Sequence, residues 1–146
     1  EIVKAKSRDN SRTPMQWDSG EYNGFSKTTP WLSLGKSADE INVAKELQEG
    51  SIFTYYQQLI RLRKDYPVIA KGSYEAFLPE HPQIYGFVRR LEEHSLLVLN
   101  NFFPTETTID LPEEFLAGNV LIDNYETEAI DKIITLKPYQ TIAIYR

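Results

Sequence analysis

Ser7-Arg8-Asp9-Asn10-Ser11-Arg12-Thr13-Pro14-Met15-Gln16-Trp17-Asp18 is the stretch on which the reading of this chain turns. It gathers two guanidinium groups, two carboxylates, two amide side chains and an indole, and Pro14 excludes a continuous helix. Solvated linkers are poor in large apolar side chains, so Met15 and Trp17 argue for an ordered loop. The sequence around it agrees. Residues 1 to about 50 are rich in Ser, Thr, Asn, Gly and Pro, and Tyr22, Phe25, Trp31 and Leu34 punctuate them. Loops longer than about 12 to 15 residues are functional or disordered, and the aromatic content favours function.

Outward from the loop the pattern becomes regular. Asp39 and Asn42 are both good helix caps, so a short helix is expected to begin at one of them, pass through Glu46-Leu47 and stop at Gly50. Ser51 then caps a longer helix, in which Ile52, Phe53, Tyr56, Leu59 and Ile60 return at three- and four-residue spacing. Arg61, Arg63 and Lys64 suit the negative end of its dipole, and Pro67 ends it near Asp65 or Tyr66. Its single apolar face needs a partner surface. From Gly72 the period changes to two, with strands expected at Ser73–Leu78, Ile84–Leu91, Leu96–Phe102, Thr107–Leu111, Val120–Asp123, Lys132–Leu136 and Thr141–Tyr145. Short strands separated by turn residues describe an antiparallel β-sandwich or sheet.

Composition narrows the function. The 146 residues are 41% apolar and 25% charged, an ordinary globular balance. Lys and Arg total 16 against 21 Asp and Glu, a net charge of −5, which argues against a nucleic-acid partner. The absence of cysteine excludes disulfides and thiolate metal sites. No apolar run approaches a membrane span, and no signal-peptide pattern opens the sequence, so a cytoplasmic location without membrane association is the expectation. His81 and His94 stand in expected turns without a second ligand at metal spacing, no phosphate-binding glycine loop occurs, and neither metal nor cofactor is expected.

The Ser7–Asp18 run resembles the SRDNxRTPMQWD segment of the α-glucosidase branch of the α-amylase superfamily, which includes oligo-1,6-glucosidases, dextran glucosidases and trehalose-6-phosphate hydrolases. Gly24-Phe25, Pro30-Trp31-Leu32, Ile41-Asn42-Val43, Ser51-Ile52-Phe53, Leu97-Val98-Leu99-Asn100-Asn101-Phe102 and Leu136-Lys137-Pro138-Tyr139 follow in that family's order. The resemblance covers essentially the whole chain. It implies an α+β fold, in which an N-terminal loop and helices from the end of a β/α barrel precede an antiparallel β-sandwich. Residues 1–71 would be the tail of the catalytic barrel and 72–146 the C-terminal domain. A complete barrel of that kind needs about 250 residues, so the chain is read as the C-terminal part of a longer enzyme.

Retaining glycosidases use two carboxyl groups, one as nucleophile and one as acid/base. The family's strand-end signatures for them are absent, so no catalytic residue is assigned here. The resemblance instead implies substrate binding by an arginine of the motif: Arg8 is the first choice and Arg12 the second. Either would orient a terminal glucose through its hydroxyls. The competing reading is that both arginines tie the loop to the barrel through salt bridges, the favoured view of Arg12. Trp17 and Trp31 are read as buried loop anchors rather than sugar platforms. The implied function is release of α-linked glucose from short α-1,6-glucosides or from trehalose 6-phosphate, with the isolated chain inactive. A small oligosaccharide or disaccharide phosphate is then the partner of the whole enzyme. The alternative is a non-catalytic carbohydrate-binding or structural β-domain. The exposed helix face leads to a further expectation, that the isolated chain pairs with a second copy.

Overall fold

The computed structural model describes residues 12–127 and 129–146. Its elements run α1 (Val43–Glu46), α2 (Ile52–Asp65), α3 (Pro67–Lys71), β1 (Glu75–Phe77), β2 (Ile84–Leu91), β3 (His94–Asn101), β4 (Thr107–Asp110), β5 (Asn119–Asp123), β6 (Ile133–Leu136) and β7 (Thr141–Tyr145). Single 3₁₀ turns occupy Glu21–Gly24 and Glu113–Phe115. Contacts divide the chain into two units, one ending at Gln58 and one spanning Leu59–Arg146.

The second unit is a sandwich of unequal layers. Strands β1-β2-β3-β7-β5 form one antiparallel sheet, and β4 pairs with β6 in the other. Alternation along the strands decides which side chains meet between the layers. Leu97 and Leu99 of β3 and Ile142 and Ile144 of β7 are fully buried, and they meet Ile109, Ile134 and Leu136 of the smaller sheet. Phe115, brought in by the second 3₁₀ turn, is also fully buried in this core.

Side chains bind the edges. Asn101, 1% exposed at the end of β3, donates its amide to Thr105 O (2.8 Å) and Lys137 O (3.0 Å), and accepts from Phe103 N at 3.1 Å. It thereby fastens the end of one sheet to the end of the other. Gln140 does the same for the neighbouring loop, donating to both Asp123 carboxylate oxygens at 3.0 Å and accepting from Lys137 N at 2.8 Å. Arg90 forms a two-pronged pair with Glu114, at 2.7 and 2.9 Å. That bonding holds the Glu114 carboxyl below the usual range and raises the Arg90 guanidinium further.

The sequence reading places Ile84–Leu91 and Thr141–Tyr145 at their observed bounds, and the other five strands within two residues at each end. It misses α3. Pro67 ends α2 as expected and then serves as the first residue of a new helical turn, where a missing N–H costs nothing. Val68 of α3 is buried, and Arg89 of β2 donates to Val68 O at 3.2 Å and Gly72 O at 2.6 Å, satisfying carbonyls at the end of α3. A β-carbon at Gly72 would fall 2.5 Å from Val68 O, so the chain can leave α3 along this path only without a side chain. Tyr66 packs edge-on against Tyr145 at 4.8 Å between ring centres.

Candidate functional site

The motif residues from Arg12 to Asp18 and the loop after them lie in the first unit. Trp17 N donates to Asn23 O at 2.9 Å, closing a small ring of chain around Asp18. The Asp18 carboxylate accepts from Gly20 N at 2.7 Å, the turn-forming bond that Asp makes readily. Tyr22, Asn23 and Gly24 all have positive φ (51°, 57° and 66°). Asn and Gly enter that region cheaply, whereas Tyr22 does so at a cost in strain. At Gly24 the freedom is required: a β-carbon there would approach the Asp18 carboxylate to 2.6 Å.

The motif also starts α1. Val43 N and Ala44 N donate to the carbonyls of Gln16 and Trp17 at 2.9 and 3.0 Å, giving partners to two of the donors that a helix start leaves unpaired. Asn42, 4% exposed, caps the same helix: its Oδ1 accepts from Lys45 N at 2.9 Å, and its Nδ2 donates to Ala38 O at 2.7 Å. Gln16 Nε2 donates to Ile41 O at 2.8 Å, while Gln16 Oε1 is buried with no hydrogen-bond partner among the described residues. Ser51 caps α2 by accepting from Thr54 N at 3.1 Å. The helix start at Asn42 matches the sequence expectation, but α1 ends at Glu46, short of Gly50.

Two concavities flank Pro14 and Met15. One, of about 570 Å³, is lined by Gln16, Trp17, Ile41, Val43, Leu47 and Phe53 among others. The other, of about 460 Å³, holds Arg12, Phe25, Thr28, Thr29, Trp31 and Leu32. Both fall in the size range of small-molecule sites.

Arg12 is exposed on the second groove and forms no ion pair among the described residues. Arg8, the first-choice substrate contact, lies outside the described residues. In the chain alone Trp31, expected as a buried anchor, is 87% exposed, and Trp17 is about half exposed. Sequence separates an anchor from an exposed ring poorly, because tertiary packing decides it. A loop-organising role for Gln16, like that of Asp18, is open from the sequence; that its bond reaches Ile41 beside the start of α1 is what the structure adds. His81 Nδ1 accepts from Gln83 N and Ile84 N at 3.2 and 3.0 Å, a turn-stabilising role. His94 stacks on Tyr145.

The sequence of this scaffold has clear counterparts. Residues 1–72 match the α-amylase catalytic-domain family, and residues 84–143 match the C-terminal domain family of the α-amylase SusG. The chain belongs to the α-amylase family. It is 40% identical over 99% of its length to the trehalose-6-phosphate hydrolase of Bacillus subtilis (strain 168). It is 42% identical over 98% to an oligo-1,6-glucosidase of Heyndrickxia coagulans. The crystal structure of Bacillus licheniformis trehalose-6-phosphate hydrolase superposes with a TM-score of 0.76 at 40% identity, over 99% of this chain. Trehalulose synthase MutB from Pseudomonas mesoacidophila MX-45 gives 0.76 at 31% identity, over 95% of this chain. The chain spans about a quarter of the length of these relatives: 27%, 25%, 27% and 26% respectively. Among the described residues, no helix of this α-amylase-family chain is long and apolar enough to cross a membrane.

Proposed function

We propose that this chain is the C-terminal part of a retaining glycoside hydrolase that releases α-linked glucose from short oligosaccharides (α-1,6-glucosides) or from trehalose 6-phosphate. The observation that carries the reading is the alignment, over 98–99% of the chain, with relatives named for those two activities. In this reading residues 1–71 complete the catalytic barrel and residues 72–146 form the domain that follows it. The nucleophile and the acid/base, which retention requires about 5 to 5.5 Å apart, belong to the rest of the enzyme. This chain contributes position. Arg8, or Arg12 after it, holds the terminal glucose through its hydroxyls by a fixed fork of donors.

The isolated chain then has no hydrolase activity. It also leaves apolar side chains of α2 open, with Ile52, Phe53 and Tyr56 exposed, and association with a second copy would cover them. A monomer in light scattering at micromolar concentration would contradict that association.

The direct test is hydrolysis of isomaltose, maltose and trehalose 6-phosphate by the full-length enzyme, with Arg8→Ala and Arg12→Ala beside it. Turnover of one substrate, with kcat/KM falling by about 10²-fold in one arginine variant, is the expected result. Turnover of none of the three would overturn the function. Turnover unchanged in both variants would overturn the site.

A further inference from the structure

The five-stranded sheet has a second face, turned away from the core, and register decides what stands on it. Val88 of β2 and Leu97 and Leu99 of β3 belong to the core. Alternation therefore sends Tyr85, Phe87 and Arg89 of β2, and Leu96, Val98 and Asn100 of β3, to the other side. Thr141, Ala143 and Tyr145 of β7 stand opposite Asn100, Val98 and Leu96 on that same face. One end of the face carries α3. Arg89 donates to Val68 O and Gly72 O, Tyr66 packs against Tyr145, and Val68 is 1% exposed. The other end carries four aromatic rings in a row. Tyr74 stacks on Phe87 at 5.6 Å between ring centres, Phe87 meets Tyr85 at 6.0 Å, and Tyr85 meets Phe102 at 6.3 Å. The Tyr74 and Tyr85 hydroxyls pair at 3.4 Å. In this chain alone Tyr74, Tyr85 and Phe102 are all more than half exposed.

We propose that this aromatic row is the seat of the catalytic barrel, receiving apolar side chains from the barrel's outer ring of helices. The proposal rests on the reading of the chain as part of a longer enzyme, and not on which glucoside that enzyme cleaves. Continuity is the first argument for this occupant. Residues 1–72 match the catalytic-domain family, so α3 is catalytic-domain sequence already seated on one end of the face. The row extends that contact along the same strands. The chain spans about a quarter of its relatives' length, which leaves most of a catalytic domain to cover it. Charge is the second argument. Among the positions of β2, β3 and β7 on this face Arg89 is the one charged side chain, and its guanidinium is engaged by α3. Rings whose hydroxyls satisfy each other suit an apolar, dry partner. An acidic or basic partner would find no free counter-charge there.

The test compares the full-length enzyme with this chain alone. Brief hydroxyl-radical labelling, read by mass spectrometry, reports the accessibility of each ring. Ile133, exposed on the smaller sheet, serves as the internal reference. Tyr74, Tyr85 and Phe102 should label several-fold more slowly in the enzyme than in the chain, with Ile133 unchanged. The occupant is identified by Tyr85→p-benzoylphenylalanine in the enzyme. Irradiation should give a monomer-sized product whose linked peptide lies in the catalytic domain outside this chain. Rings that label equally in both samples would overturn the proposal, as would the absence of any linked product. A dimer-sized product would also overturn it and would assign the row to a second copy. An enzyme that cleaves none of the three glucosides, yet gives the monomer-sized product, would overturn the proposed function and leave this interface standing.

Discussion

The two units of this chain solve the burial problem in opposite ways. In Leu59–Arg146 alternation along seven strands sends Leu97, Leu99, Leu136, Ile142 and Ile144 into one dry core. Among the described residues up to Gln58, Pro14 and Ala38 are the only apolar side chains that are buried, while Met15, Trp17, Phe25, Trp31, Ile41, Leu47, Ile52, Phe53 and Tyr56 are all exposed. The first unit is held instead by local polar bonds: Asp18 around Gly20, Gln16 on Ile41 and Asn42 at its cap. Local hydrogen bonds set the shape of a loop, but each contributes only about 0.5 to 1.5 kcal/mol net. Stability of the domain has to come from area removed from water, and only the sandwich supplies it. One half of the chain stands on its own core. The other half is a shaped surface.

The hardest test of that contrast is to empty the core. Leu97→Ala and Phe115→Ala should each destabilise the sandwich by about 2 to 5 kcal/mol, read from the urea midpoint, whereas Ile52→Ala should shift it by less than about 0.5 kcal/mol. Equal effects from both sets would mean that the exposed side chains of α2 are covered in solution. Next in size comes Asn101→Ala, which strands Thr105 O, Lys137 O and Phe103 N together at the junction of the sheets. A loss of about 1 to 3 kcal/mol is expected, with no change in the slope of the unfolding curve. A cost below that would show water taking the place of the amide.

The smallest effect sharpens the comparison through pH. Arg90 holds the Glu114 carboxyl below its ordinary value, so the folded state binds that proton less readily than the unfolded state. The stabilisation is therefore present above the ordinary carboxylate range and disappears as pH falls through the lowered value. Both side chains remain partly exposed, so the pair is worth only about 0.2 to 1 kcal/mol. Glu114→Gln should lower the urea midpoint slightly at pH 7 and leave it unchanged in strong acid. A Glu114→Gln effect that is the same at both pH values would place the contribution in packing.

Legibility followed the same divide. Strands β2 and β7 were legible because each is a β-branched, aromatic run bounded by turn residues; along β2 burial alternates, whereas in β7 Ile142, Ala143 and Ile144 are buried in succession. Helix α3 was not legible, since five residues after a proline are too few to show a helical period. The motif announced a functional loop, and Asn42 announced a helix start. Yet the same residues could not place Trp31, whose exposure depends on chain distant in sequence. Asn101 falls inside the expected strand Leu96–Phe102; its junction role needs carbonyls contributed from Thr105 and Lys137. Sequence reads periodic burial well and convergence poorly.

Hydrogen exchange, run on this chain alone and on the full-length enzyme, tests the contrast most directly. Amides of Leu97, Leu99 and Ile142 should be strongly protected in both. Those of residues 12–50 should exchange rapidly in the isolated chain and become protected in the enzyme, because exchange follows the free energy of local opening. Protection of residues 12–50 in the isolated chain equal to that of the sandwich would contradict the account.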